Sequence, residues 1–93
     1  MSRIQRNPKR DANEPDILEV FHRAGWSTLK ISAPGAPDAV AISPKGSAYP
    51  LEIKSRHGSL TKAQEAFHAS WRGPQIRIVR SVEDAVAVIQ GER

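Results

Sequence analysis

Apolar residues recur along this chain in two rhythms, one helical and one of strand period. Ile17, Leu18, Phe21 and Ala24 share a helical stripe, which predicts a helix from about Glu14 to Ala24. Asn13 stands as its N-cap, Pro15 in its first turn and Gly25 as its stop. Trp26 to Ser32 reads as a strand running into the turn Pro34-Gly35-Ala36-Pro37. Residues 38–43 then alternate, with Asp38, Val40 and Ile42 on one face and Ala39 and Ala41 on the other. The small alanines predict close packing against a helix, and so a central strand. Residues 49–54 keep the strand period, and Pro50 puts their first end at an edge or bulge. Leu60, Ala63, Phe67 and Trp71 space a second helix over about Lys62 to Arg72, closed by Gly73-Pro74, with His68 on a solvated flank. Gln75 to Arg80 returns as a strand, and Ser81 caps a last helix in which Val82, Ala85, Val86 and Ile89 recur at core spacing. The order α-β-β-β-α-β-α predicts an α/β fold, a small mixed sheet of about four strands flanked by helices.

Composition narrows this picture. With 93 residues, 39% hydrophobic and 5% aromatic, the chain builds one small domain with a thin core. Cysteine is absent, which excludes disulfides and thiolate metal sites and suits a reducing interior. Neither a membrane-spanning apolar run nor a secretory h-region occurs, so the expected location is cytoplasmic, with no membrane partner. Fourteen Lys and Arg against ten Asp and Glu give a formal charge of +4, which favours an anionic partner. Residues 1–13 have no apolar period and carry Arg3, Arg6, Lys9 and Arg10. They read equally as an arm that contacts a nucleic-acid backbone and as a solubilising tail. Residues 14–93 form the domain proper.

Candidate chemistry lies on the central hairpin. Joining residues 38–43 to 49–54 by the turn at residues 44–48, and counting about Gly46, sets Asp38 opposite Lys54 and Val40 opposite Glu52. Asp38, Glu52 and Lys54 then share one face, and a slip of one residue would scatter them. Two carboxylates so placed raise each other's pKa unless a cation lies between them. Oxygen-only ligands suit magnesium or manganese rather than zinc. The Lys54 ammonium is then free to orient an attacking water or to offset charge on a phosphate. Singly, each residue is more often an ordinary exposed polar side chain; together they point to a metal-dependent phosphodiesterase.

The order Gly35-x-Pro37-Asp38, a hairpin, then Glu52-x-Lys54 resembles the PD-(D/E)xK nuclease superfamily, and specifically its VRR-NUC family. Leu60-Thr61-Lys62-Ala63-Gln64 looks like the family's glutamine segment after the lysine strand, and Glu19 matches an acidic position in the preceding helix. The likeness spans about residues 14–90 and implies a restriction-endonuclease-like fold. It also implies Asp38, Glu52 and the carbonyl of Ile53 as holders of Mg2+ or Mn2+, Lys54 as the residue that positions water, and Gln64 and Glu19 in support. On the residues alone, Gln64 closes a capping box with Thr61, which does not exclude the other role. Lys30, Arg56 and His57 stand where they face a bound phosphate or merely water.

The expected activity is that of a DNA endonuclease. No helix-turn-helix or zinc module is present, so structure is expected to be read before sequence. Short stand-alone members of the family resemble Holliday-junction resolvases and are often phage-encoded. That implies branched DNA as substrate, a homodimer, and a bacterial or phage-infected host cell. Two rivals stay open: a non-catalytic nucleic-acid-binding module on the same fold, and a structural or inhibitor protein that meets an acidic protein surface.

Overall fold

The computed structural model describes residues 11–92, and the basic residues Arg3, Arg6, Lys9 and Arg10 lie outside them. The elements follow the expected order: α1 (Glu14–Arg23), β1 (Ser27–Lys30), β2 (Ala39–Ile42), β3 (Ala48–Ile53), α2 (Lys62–Ser70), β4 (Arg77–Val79) and α3 (Val82–Glu92). One mixed sheet holds the strands in the order β1-β2-β3-β4, antiparallel except for the parallel pair β3 and β4.

Ala39, Ala41, Leu51, Ile53 and Val79 point to one face of the sheet, where Ile17, Leu18 and Phe21 of α1 and Ala85, Val88 and Ile89 of α3 bury them. The alanines let the helices approach closely, as their spacing predicts. On α3 the expected stripe is displaced: Val82 and Val86 stay exposed and Val88 is buried in their place. Ala24 is also exposed, since α1 ends at Arg23. Gly25, at φ +86°, closes α1 in a Schellman turn, with Trp26 N–H donating to Phe21 O at 2.9 Å and Gly25 N–H to His22 O at 3.0 Å.

The hairpin turns about Lys45 rather than Gly46. Ser43 N–H donates to Ser47 O at 2.9 Å and Gly46 N–H to Ser43 O at 2.8 Å, with Gly46 at φ +93°. This is a three-residue loop whose last position needs a glycine. The register becomes Ala39↔Leu51 and Val40↔Pro50, which continued by one step sets Asp38 opposite Glu52 instead of Lys54. The correction moves the pairing sum by two, so every side chain keeps its face. Pro50 is tolerated because Ser43↔Ser47 is a hydrogen-bonded pair. By alternation Val40↔Pro50 is not, and Pro50 lies before the point where β4 begins to pair, at Leu51↔Arg77.

Asn13 occupies the N-cap position of α1, but its side chain makes no cap. Its Nδ2 donates instead to the carbonyls of Lys54 at 3.1 Å and Arg80 at 3.0 Å, which ties the start of α1 to the ends of β3 and β4. Asn13→Ala should therefore destabilise the fold by about 1–3 kcal/mol, because it strands two carbonyls. A lower urea midpoint with an unchanged m-value is the expected result, and an unchanged midpoint would count against the tie.

Candidate active site

Asp38, Glu52 and Lys54 stand on the second face of the sheet. Asp38 is placed by main-chain bonds on both sides: its N–H donates to Leu51 O at 2.9 Å, and its carbonyl accepts from Ile31 N–H at 2.8 Å. Its Oδ2 accepts the N–H of Ile53 at 2.7 Å, which aims the carboxylate across the hairpin at β3. Gly35, at φ +76°, lets the preceding turn approach α2; a Cβ there would stand 3.0 Å from Ala63 O. The turn just before Asp38 thereby packs on the first turn of α2.

Glu52 is fully buried, an unusual place for a carboxyl group. Gln64 Nε2 donates to its Oε2 at 3.0 Å, and His68 Nε2 lies 3.0 Å from its Oε1. Burial, then a hydrogen bond and like charge from Asp38, push the Glu52 pKa from 4.5 up to about 8, with Lys54 opposing the rise. Lys54 Nζ donates to Gln64 Oε1 at 2.7 Å. That same oxygen accepts Thr61 N–H at 2.8 Å, while Thr61 Oγ1 accepts Gln64 N–H at 3.1 Å. Gln64 thus closes the capping box and bridges Lys54 to Glu52 at once.

The donor set fits a hard divalent cation. The burial and the Asp38 charge that raise the Glu52 pKa favour a proton there, and a cation between the two carboxyl groups would relieve the same repulsion. Among the described residues no three His, Cys, Asp or Glu side chains converge. A cation held here would take Asp38, Glu52, a main-chain oxygen and water, as magnesium and manganese accept.

Glu19 is not brought to this site. It lies on the outer side of α1, more than half exposed, pairing with Arg23 at 3.0 Å and His22 at 3.9 Å. The reason is helical phase: Glu19 follows Leu18 by one residue and so turns off the buried stripe. Glu14 is the buried acid of α1, 2% exposed and 3.4 Å from Lys30 Nζ. Its spacing of three and four residues before Ile17 and Leu18 is the signal that places it on the inner side. Lys30, expected to face phosphate or water, makes this pair while remaining exposed. Asp11, just ahead of α1, is the last and smallest cause of the rise in the Glu52 pKa.

His68 was expected on a solvated flank and instead touches Glu52; Ala63 and Trp71, expected in the packing stripe, are exposed, and α2 buries no residue fully. Arg56 and His57 are exposed in the loop after Lys54. Arg80 holds that loop, its guanidinium donating to the carbonyls of Ser55 at 2.9 Å, Gly58 at 2.6 Å and Arg56 at 3.4 Å. Arg80→Met should speed hydrogen exchange at the Gly58 amide, whose bond to Ser55 O this clamp supports. Unchanged exchange would show that the loop holds itself.

No protein-family model and no curated protein matches this sequence. A solved structure described as a VRR_NUC domain superposes with a TM-score of 0.72 at 22% identity, covering 89% of this chain and 100% of that one. The chain therefore has the fold of a VRR_NUC domain.

Proposed function

We propose that this chain is a nuclease of the VRR-NUC kind, a magnesium- or manganese-dependent endodeoxyribonuclease. The observation that carries the reading is the buried Glu52 carboxyl set against Asp38, with Lys54 and Gln64 hydrogen-bonded beside it on one sheet face. Asp38, Glu52 and the Ile53 carbonyl would hold the cation. When bound, it supplies Lewis-acid stabilisation of charge on the scissile phosphate.

The chain's own residues do the rest. Asp38 and Glu52 offer fixed anionic oxygens, because the Ile53 N–H and the Gln64 amide restrain them. Lys54 Nζ, held by Gln64 Oε1, carries a positive charge to orient the attacking water and offset the negative charge of the transition state. Arg56 and His57 offer contacts to the DNA backbone from the adjoining loop, with Lys30 and the arm residues Arg3, Arg6, Lys9 and Arg10 supplying further positive charge.

The substrate proposed is branched DNA, cut by a homodimer in the cytoplasm of a bacterial or phage-infected cell. The test is cleavage of labelled four-way junction, splayed, flap and plain duplex DNA with magnesium, manganese or EDTA, alongside sedimentation of the protein. Metal-dependent cutting with a preference for the junction is expected. Binding without cutting in every metal would favour the non-catalytic module.

A further inference from the structure

Among the described residues, His68 is the side chain in contact with the buried carboxyl that the proposed chemistry leaves unused. No residue of α2 is fully buried, yet the His68 side chain is only 18% exposed, and its Nε2 lies 3.0 Å from Glu52 Oε1. Gln64, one helical turn earlier, donates to Oε2 at 3.0 Å. Positions four apart on a helix stand on one face. Successive turns of α2 thus hold one oxygen each of the same carboxyl group.

That arrangement restricts a torsion which is otherwise soft. The terminal χ of a glutamate is broad, so a carboxylate held at a single oxygen still rocks about its last bond. Held at both, its plane is fixed. Phe67, the next residue back, turns to Trp71 instead and stacks on it at 5.4 Å, so the contact to the carboxyl is made by His68 and Gln64 alone on this helix.

We propose that His68 is a positioning residue for Glu52: its Nε2–H holds Oε1 while Gln64 holds Oε2, so that the carboxylate plane is set toward Asp38 and a divalent cation. The inference rests on the nuclease reading of the site. Partners that orient a metal ligand in this way typically change metal affinity by about 10–100-fold when removed.

The test is Mn2+ binding to the whole chain by titration calorimetry, for wild type, His68→Leu and His68→Gln, with metal-free melting curves as the check of folding and DNA cleavage measured in parallel. His68→Leu is expected to bind Mn2+ about tenfold or more weakly, and its cleavage to recover as Mn2+ is raised. His68→Gln, which keeps an N–H donor, is expected to restore most of the affinity. Should His68→Leu fail to fold, His68→Phe keeps a ring without the donor and is read in the same way. Wild-type affinity in His68→Leu, with Mn2+ bound and DNA cut normally, overturns the role of His68 alone. Equal weakening in the Leu and Gln variants also overturns it, since ring volume and not the donor would then matter. A wild type that takes up no Mn2+ and cuts no DNA overturns the nuclease reading, and the positioning role with it.

Discussion

Lys54→Met is expected to slow DNA cleavage at saturating Mn2+ by about 10²–10³-fold, the usual loss when a charge-stabilising group leaves an active site. Mn2+ binding itself should stay close to that of wild type. The separation follows from the hydrogen bonds around Gln64. Its Oε1 accepts from both Lys54 Nζ and Thr61 N–H, so removal of the ammonium leaves the capping-box bond in place. Gln64 Nε2 then still reaches Glu52 Oε2, and the carboxyl pair keeps its support. Methionine retains much of the side chain's apolar length, so packing changes little. The check is single-turnover cleavage beside Mn2+ titration on the same samples. Loss of both in parallel would make Lys54 a structural residue.

The second large effect concerns stability. In the metal-free protein the folded Glu52 pKa stands near 8, against 4.5 for an unperturbed carboxyl. Below the lower value both folded and unfolded chains hold the proton. Between the two values the folded chain keeps a proton that the unfolded chain releases, so the contribution of Glu52 to stability falls as pH rises through that window. Above the upper value both forms are ionised and the loss is complete. Glu92 acts in the opposite sense: hydrogen bonds from Tyr49 and Ser43 lower its pKa, and it favours the fold at higher pH. The informative quantity is therefore the difference between wild type and Glu52→Gln. Metal-free Glu52→Gln is expected to gain in melting temperature over wild type as pH climbs from about 5 to 8, and Mn2+ should reverse the order by stabilising wild type alone. A difference that does not change with pH would mean that Glu52 is ionised in the fold at neutral pH.

The parts of the site that follow strand parity were readable from the sequence. Asp38, Glu52 and Lys54 share a face in any register of the right parity, and the register about Lys45 has the same parity as one counted about Gly46. Which residue stands opposite Asp38 depended on the loop length, and Pro44-Lys45-Gly46 closes one residue earlier than a count about the glycine assumes. Helix phase was harder to read. Glu19 and Glu14 both lie on α1, and only the angle to Ile17 and Leu18 separates the solvated acid from the buried one. His68 reads as a flank residue because α2 has no fully buried stripe: its inward side is polar, built from Gln64 and His68 around a buried carboxyl group on another element. A hydrophobic pattern gives no sign of a helix face that packs on a carboxyl. Val82 and Val86 erred in the other direction, as apolar residues at helical spacing that the fold leaves in solvent.

The most direct test of the central claim is strand scission of a labelled four-way junction by wild type and Asp38→Asn, prepared side by side, first in Mn2+ and then in EDTA. Asp38→Asn removes the charge that faces Glu52 while keeping an oxygen for the Ile53 N–H. Cutting by wild type in Mn2+ that stops in EDTA and is lost in Asp38→Asn is the predicted result. Cutting that persists in EDTA, or that survives unchanged in Asp38→Asn, would contradict a metal-dependent nuclease centred on this carboxyl pair.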